Sequence, residues 1–229
     1  MKSLAIITAR GGSKRIPRKN IKEFLGKPIL AYSIEAALKS GKFSEVMVST
    51  DDEEIKEVAV KYGAKVPFLR SEKTANDFAT TNDVLLEVLD EYEKRGEKFD
   101  MAACIYPTAP FITDKRLAEA FDKLSASTAD ILIPVVSFSY PIQRAMVERN
   151  ERLVFEHPEY LDSRSQDLEK HFHDAGQFYF FKPEGFRKSG KLMVGDIIPF
   201  ELSELEVQDI DNETDWKLAE LKYKLINNV

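Results

Sequence analysis

Residues 4–20 read Leu-Ala-Ile-Ile-Thr-Ala-Arg-Gly-Gly-Ser-Lys-Arg-Ile-Pro-Arg-Lys-Asn, and they give the first indication of the fold class. Residues 4–9 are a continuous β-favouring run, which predicts a strand buried on both faces of a sheet. A glycine-rich basic loop then runs to Asn20, and apolar residues recur at helical spacing over residues 28–39. The order strand, loop, helix predicts the start of a βαβ unit.

The same alternation continues through residue 136. Strands are predicted over residues 46–49, 66–69, 101–106 and 131–136, and helices from residue 53 to Gly63, over 81–94 and over 117–124. Alternating strands and helices predict an α/β fold with a mainly parallel sheet and helices on both faces. In such a fold, ligands bind at the carboxyl ends of the strands.

The alternation breaks after residue 136. Two β-like stretches, residues 143–148 and 153–155, flank Arg149-Asn150-Glu151, which is typical of a hairpin turn. We therefore predict an excursion from the sheet over about residues 138–168, which would cover a pocket or pair with a second subunit. Further strands over 177–181 and 192–199 and a last helix over 212–227 complete one domain, residues 1–229.

The charge balance argues against two classes of partner. The 229 residues contain 33 Lys and Arg against 39 Asp and Glu, a formal net charge of −6. The net charge therefore provides no general electrostatic attraction to nucleic acid or to an anionic membrane. No apolar run reaches the roughly 18 residues of a membrane helix, and the N-terminal run lacks the cleavage site of a signal peptide.

Cys104 and Trp216 are both expected to lie in the core. Cys104 is the only cysteine, so it can form neither an intramolecular disulfide nor a cysteine-based zinc site. Its place in an apolar strand predicts a core residue rather than a nucleophile, and the cysteine usage predicts a cytoplasmic protein. Trp216 is expected to anchor the last helix in the core.

The basic loop carries the strongest functional signal. Five basic side chains without an intervening acid lie within it, namely Arg10, Lys14, Arg15, Arg18 and Lys19. Paired glycines allow close approach of an anion, and Arg and Lys form charge-assisted hydrogen bonds with phosphate oxygens. The alternative is a solvated basic turn. The loop matches neither a Walker A motif nor Gly-x-Gly-x-x-Gly, so we predict a polyphosphate site of another kind.

Asp209 and Asp211 form a second signal. In an extended segment both side chains point the same way, so the two carboxylates would converge on one hard cation such as Mg²⁺. The alternative is that Asp211 caps the helix that begins near residue 212. A polyphosphate site favours the metal, because phosphoryl transfer needs a cation to neutralise charge.

Residues 163–179 form a third signal. They include Arg164, Gln166, two histidines, Asp174 and Tyr179, a set suited to hydrogen bonding with a polyhydroxylated acid. His171 and His173 have the spacing of metal ligands, but no third histidine or cysteine lies nearby, so hydrogen-bonding roles are preferred.

Several motifs along the chain resemble those of the acylneuraminate cytidylyltransferases, which activate nine-carbon sugar acids as CMP-sugars. They are Ala-Arg-Gly-Gly-Ser-Lys at 9–14, Ser-Thr-Asp at 49–51, Phe-Leu-Arg at 68–70, Pro-Thr-Ala-Pro at 107–110, Arg-Ser-Gln-Asp at 164–167, Gly176 to Tyr179 and Asp-Ile-Asp at 209–211. The resemblance implies a Rossmann-like fold with an inserted dimerisation element. It also implies a homodimer that binds CTP, a nonulosonic acid and Mg²⁺.

The resemblance assigns roles to individual residues. It implies catalytic roles for Arg10, Lys19, Asp209 and Asp211, the last two as Mg²⁺ ligands. The implied nucleotide site consists of Ala9, Arg10, Gly11, Gly12, Ser13, Lys14, Arg15, Lys19, Asn20, Arg70 and Thr80. The implied sugar site consists of Tyr106, Arg164, Gln166, His173, Asp174 and Tyr179. The anomeric hydroxyl would attack the α-phosphorus and expel pyrophosphate, and catalysis would consist of positioning and charge neutralisation.

The sugar half departs from the sialic-acid enzymes of the family. Tyr106 stands where those enzymes commonly have Gln, and His173-Asp174-Ala175 where they commonly have Arg-x-Asn. The string from His173 to Tyr179 is instead similar to the branch that activates pseudaminic acid, which is the leading hypothesis. The alternatives are N-acetylneuraminate or legionaminate as substrate and, from another class, a noncatalytic nucleotide-binding protein, which would not need Asp209 and Asp211.

Overall fold

The computed structural model describes residues 1–228. Its strands are β1 Ser3–Thr8, β2 Glu23–Phe24, β3 Lys27–Pro28, β4 Glu45–Ser49, β5 Met101–Ile105, β6 Ile131–Ser137, β7 Met146–Arg149, β8 Arg152–Phe155, β9 Phe172–Asp174, β10 Phe178–Phe181 and β11 Ile197–Glu201. Its α-helices are α1 Ile29–Lys39, α2 Glu53–Lys61, α3 Glu72–Ala75, α4 Thr81–Lys94, α5 Asp114–Ser125, α6 Pro183–Ser189 and α7 Glu213–Asn227.

The central sheet has the order β11-β6-β10-β5-β1-β4, and β9 pairs with one end of β6. Strand β1 is parallel to β4 and β5, and β11 is parallel to β6. Strand β10 is antiparallel to both of its neighbours. The predicted Rossmann-like α/β fold with a mainly parallel sheet is therefore confirmed.

Helices cover both faces of the sheet, and the side chains of β1 alternate between them. Ala5 and Ile7 pack in a cluster with residues of α1, α2 and α5. Leu4 and Ile6 pack with residues of α4 and α6. Burial on both faces explains why the sequence of β1 is apolar without a break. Cys104 lies buried in β5, where burial raises the pKa of its thiol to about 12.

The last helix closes a separate aromatic cluster. Trp216 is buried there, as predicted, and its ring packs edge-on against Phe24 with 5.6 Å between centroids. Within residues 1–228, no helix combines the length and apolar character required to cross a bilayer.

Residues 138–171 contribute no strand to the central sheet, and this segment includes the excursion predicted over about residues 138–168. Strands β7 and β8 pair with each other in a two-stranded sheet. The predicted hairpin turn is present, because Asn150 and Glu151 both have left-handed backbone angles, φ 52° and 58°. The strand predicted from residue 143 is wrong at its start, since Ile142–Arg144 forms a 3-10 turn and buries Gln143.

Two other strand predictions are wrong in part or in full. Residues 66–69 form no strand, and only Lys65 bridges to Met47. Pro67 has no N–H to donate to a ladder, which disfavours a strand there. In the stretch 192–199 the strand begins only at Ile197, after Gly195 with φ +135°. Helix α6 and strand β9 were not predicted.

Three contacts fix the basic loop at the carboxyl end of β1. The amide of Gly11 donates to Asp51 Oδ1 at 2.9 Å, and Asn20 Nδ2 donates to the carbonyl of Arg10 at 2.8 Å. Arg18 donates to both carboxylate oxygens of Asp52 at 2.5 and 2.9 Å. Asp52 also caps α2 by accepting from the Ile55 amide, so the loop is tied to the start of that helix.

The two glycines of the loop differ in their surroundings, and this difference is testable. A Cβ atom on Gly11 would lie 2.7 Å from Asp52 Oδ2, whereas one on Gly12 would have no neighbour within 4 Å. We predict that Gly11→Ala lowers the free energy of unfolding by about 1–3 kcal/mol, because Asp52 must move. Gly12→Ala should change it by less than about 0.5 kcal/mol. Denaturant unfolding measures both, and equal effects would contradict the close packing at Gly11.

Candidate active site

A cavity of about 680 Å³, here called the first cavity, lies at the carboxyl end of β1. It is bordered by the basic loop, by the N-terminal turn of α4 and by residues 106–108 after β5. The predicted residues that line it are Arg10, Ser13, Lys14, Arg15, Lys19, Asn20, Arg70 and Thr80. Ala9, Gly11 and Gly12, which were also predicted, shape the loop but do not line the cavity.

Four cationic side chains of the loop line the first cavity, and each of them contacts an oxygen atom of the chain. Arg10 Nη1 donates to Asp77 Oδ1 at 2.9 Å, and the ammonium of Lys14 donates to Oδ2 of the same carboxylate. Arg15 Nη2 lies 2.7 Å from Asp211 Oδ1. The fifth cation, Arg18, points instead to the start of α2. These exposed pairs are weak, so an anionic ligand can displace them.

Lys19 and Arg70 are the less exposed cations of the cavity. Lys19 Nζ donates to the carbonyl of Ile210 at 2.7 Å, and burial lowers its pKa. Arg70 Nε and Nη2 donate to the side chain and carbonyl of Ser49 at 2.8 and 2.9 Å. Burial lowers the pKa of Arg70 to about 10, so it remains charged at neutral pH. Arg70 is therefore a fixed positive charge in the cavity wall.

A second cavity of about 530 Å³ shares one side chain with the first. Tyr106 lines both cavities. Of the other predicted residues, His173, Asp174, Tyr179 and Asp209 line the second cavity, together with Gln208, Glu204 and Lys222, which were not predicted. A ligand group in either cavity therefore meets the same tyrosine.

A second tyrosine packs behind Tyr106. The ring of Tyr179 lies edge-on to the ring of Tyr106, with 5.6 Å between centroids. Tyr179 donates to Asp174 Oδ2 at 2.6 Å, and Asp174 Oδ1 accepts from the Gly176 amide at 3.0 Å. Burial raises the pKa of both tyrosines, so both phenols stay protonated at neutral pH. Asp174 holds Tyr179, and the ring of Tyr179 limits the orientations of Tyr106 between the cavities.

An irregular pairing of the sheet makes the hydrogen bond between Tyr179 and Asp174 possible. Asp174 pairs with Val135, and Phe180 pairs with Leu132. More residues therefore lie on the β9–β10 side than on the β6 side, and Gly176 takes a left-handed φ of +61° there. The resulting bulge brings Asp174 and Tyr179 together. No local sequence pattern reveals such a bulge beyond the glycine itself.

Two residues predicted for the sugar site, Arg164 and Gln166, lie outside both cavities. Arg164 is exposed and pairs with Asp167 at 3.1 Å. Gln166 lines a third cavity of about 340 Å³ within the excursion, together with His171. Neither residue lines the first or second cavity. His171 and His173 form no metal cluster, since residues 1–228 hold no group of three or more suitable His, Cys, Asp or Glu side chains.

Asp209 and Asp211 lie on either side of the carbonyl that Lys19 binds. Their segment is not a strand, and the two carboxylates have different neighbours, since Asp209 lines the second cavity and Asp211 pairs with Arg15. Asn212, not Asp211, caps α7 by accepting from two backbone amides. Mg²⁺ in phosphate-binding sites takes one or two carboxylates plus substrate oxygens, and this donor set fits that requirement.

Asp77 was not predicted, although it contacts two predicted cations. It lies just before the capping box of α4, formed by Thr80 and Asp83. Its position 63 residues from Lys14 in the sequence explains the omission. Only the fold brings it into the first cavity.

Comparison with known proteins identifies the family. The Cytidylyltransferase family model matches residues 4–211. A pseudaminic acid cytidylyltransferase of Campylobacter jejuni (subsp. jejuni serotype O:2) is 44% identical over 227 residues, which cover 98% of this chain and 97% of that protein. A CMP-N,N'-diacetyllegionaminic acid synthase of Legionella pneumophila is 32% identical, with 96% and 95% covered.

Solved structures agree on the fold. A CMP:2-keto-3-deoxy-manno-octonic acid synthetase complexed with CTP superposes with a TM-score of 0.72 at 18% identity, and all of both chains is covered.

The residues matched by the family model include both sides of the first cavity and end at Asp211. The chain therefore belongs to the cytidylyltransferase family.

Proposed function

We propose that this chain transfers the cytidylyl group of CTP to a nonulosonic acid, and that the acid is pseudaminic acid. The products are the CMP-sugar and pyrophosphate. The observation that carries the proposal is that a cavity lined with cations meets a second polar cavity at Tyr106. The relatives 44% and 43% identical, both pseudaminic acid cytidylyltransferases, support the choice of acid.

The first cavity is proposed to bind the nucleotide. Arg10, Lys14, Arg15 and Lys19 exchange their internal oxygen partners for phosphate oxygens, which form stronger charge-assisted bonds because they carry more charge. Ser13 adds a hydroxyl donor at the same edge. Nucleotidyl transfer needs no nucleophilic side chain, because the work lies in alignment and charge stabilisation.

The cytidine part is proposed to lie deeper in the first cavity, near Arg70, Asn20 and Thr80. Arg70 is held rigidly by Ser49, and Asn20 is buried and bonded to the loop carbonyl of Arg10. Rigid polar groups of this kind suit recognition of a base or ribose, because their partners fix the direction of each remaining hydrogen bond.

The second cavity is proposed to bind the sugar acid. His173, Asp174 and Gln208 offer hydrogen bonds to hydroxyl and amide groups, and Tyr106 faces the path between sugar and phosphate. The ring of Tyr179 packs against Tyr106 and limits its movement, so Tyr106 orients the attacking hydroxyl. Arg164 and Gln166 lie outside both cavities, and we propose that they contact the sugar of a second subunit.

Asp209 and Asp211 are proposed to hold Mg²⁺. When bound there, the ion would neutralise charge that develops on the phosphates during transfer. Before the nucleotide binds, Arg15 pairs with Asp211 and Lys19 binds the intervening carbonyl, so both side chains hold this segment close to the basic loop.

The excursion is proposed to form a homodimer interface. Large apolar side chains are exposed along it, including Phe138, Tyr140, Met146, Leu153, Phe155 and Leu161. A surface of this kind on a small hairpin has little core of its own to cover it, and a second copy would bury it.

The proposed reaction predicts a substrate pattern. Pyrophosphate release from CTP and Mg²⁺ should occur with pseudaminic acid and should be much slower with N-acetylneuraminic or legionaminic acid, because the second cavity lacks the residues common in sialic-acid enzymes. A coupled phosphate assay with each acid and without acid measures this. Faster release with another acid would overturn the substrate, and no release despite CTP binding would overturn the reaction.

The proposed metal site predicts the effect of Asp211→Asn. The variant should fold and retain CTP binding, while kcat falls by about 100-fold or more, because charge stabilisation during transfer is lost. Steady-state kinetics with calorimetry of CTP binding separates the two effects. Glu213→Gln is the matched control, since Glu213 pairs with Lys22 and lines neither cavity. An unchanged kcat in Asp211→Asn would remove this carboxylate from the reaction.

The proposed interface predicts the effect of Leu153→Asp. Leu153 on the hairpin is 70% exposed, and Leu225 on α7 is 66% exposed. The wild-type chain should be a dimer, and Leu153→Asp should be a monomer because a buried carboxylate without a partner is costly. Leu225→Asp should remain a dimer. Light scattering after size-exclusion chromatography measures the mass, and a monomeric wild type would contradict the interface.

A further inference from the structure

Asp77 is a negative charge placed inside a cavity that otherwise gathers cations. We infer that Asp77 is an internal competitor for phosphate, which occupies Arg10 and Lys14 until a polyphosphate displaces it. It thereby sets the affinity of the first cavity for CTP and for pyrophosphate. This inference rests on the proposed function, since it assigns the phosphates to that cavity.

The geometry resembles that of a bound anion. The two oxygens of Asp77 accept from two different cations, Arg10 and Lys14. All three side chains line the first cavity, and Asp77 belongs to the turn before α4, 67 residues along the chain from Arg10. The carboxylate therefore links that turn to two of the cations that are assigned to phosphate.

The turn that carries Asp77 is fixed by its own hydrogen bonds. Asn76 Oδ1 accepts from the amides of Phe78 and Ala79 at 2.8 and 3.0 Å. Asn76 Nδ2 donates to the carbonyl of Lys73 at 2.7 Å, and Thr80 then caps α4. The backbone of Asp77 is thus held in place, whereas the long side chains of Arg10 and Lys14 can turn to a ligand.

The internal pairs are weak enough to exchange. The side chains of Arg10, Lys14 and Asp77 are 39%, 78% and 44% exposed, and water screens ion pairs of this kind. The hydrogen bond from Lys14 lowers the pKa of Asp77, so the carboxylate is ionised at neutral pH. A triphosphate offers more charge and more acceptor oxygens than one carboxylate. After transfer, Asp77 can regain its partners as pyrophosphate leaves.

Calorimetry on Asp77→Asn tests the inference. The substitution keeps the shape of an exposed side chain, and circular dichroism checks the fold. We expect CTP and pyrophosphate to bind roughly fivefold more tightly than to wild type, because two cations are freed. The KM for CTP should fall, and product inhibition by pyrophosphate should become stronger. Asp77→Glu, which keeps the charge, should stay near wild type.

Glu72→Gln is the matched control. It removes one negative charge from the same region, but Glu72 does not line the first cavity. Its affinity for CTP should therefore match that of wild type. Equal tightening in Glu72→Gln and Asp77→Asn would reduce the effect to general electrostatics and overturn the inference.

Weaker or unchanged binding of CTP and pyrophosphate to Asp77→Asn would also overturn it, and would make Asp77 a positioning residue for Arg10. The proposed function fails in a different way, namely by absence of pyrophosphate release in the wild type with every acid tested. The pyrophosphate titration still decides the role of Asp77 in that case, because it requires no turnover.

Discussion

Cationic side chains crowded at one end of a sheet repel one another unless they bind oxygen atoms, and this constraint shapes the candidate active site. Arg10 and Lys14 share one carboxylate, Arg15 pairs with Asp211, and Lys19 binds a backbone carbonyl. The three exposed ion pairs among these contacts contribute little to stability. Their importance is that each of them can be exchanged for a phosphate oxygen.

Ion pairs connect the basic loop to distant parts of the chain. Asp77 joins it to the turn before α4, and Asp211 joins it to the start of α7. A ligand that replaces these two carboxylates therefore affects both elements at once, whereas Arg18, which pairs with the start of α2, does not line the first cavity. Tyr106 lines both this charged cavity and the second cavity, and the ring of Tyr179 packs against it. In the proposed function, this single side chain aligns the nucleotide with the sugar.

Sequence patterns were sufficient where structure is local. The buried strand β1, the helix α4 and the hairpin turn at Asn150 and Glu151 follow from runs, periodicity and turn residues. Pairing across the sheet is not local, so the antiparallel direction of β10 and the bulge at Gly176 could not be predicted. The apolar run of residues 66–69 predicted a strand, but Pro67 disfavours one, and the structure has no strand there.

In the candidate site, too, some residues could be predicted from the local sequence and others only from the fold. The basic loop, Asp209 and Asp211 are visible in the sequence because their charges cluster there, whereas Asp77 and Lys222 reach the cavities only through the fold. In the proposed function, the triphosphate replaces the internal partners in the first cavity while the sugar lies beyond Tyr106. A crystal structure with a nonhydrolysable CTP analogue and pseudaminic acid would locate both ligands. We expect phosphates on Arg10 and Lys19, with the Arg10–Asp77 contact broken and the sugar beside His173. A triphosphate bound outside the first cavity, with that contact intact, would contradict it.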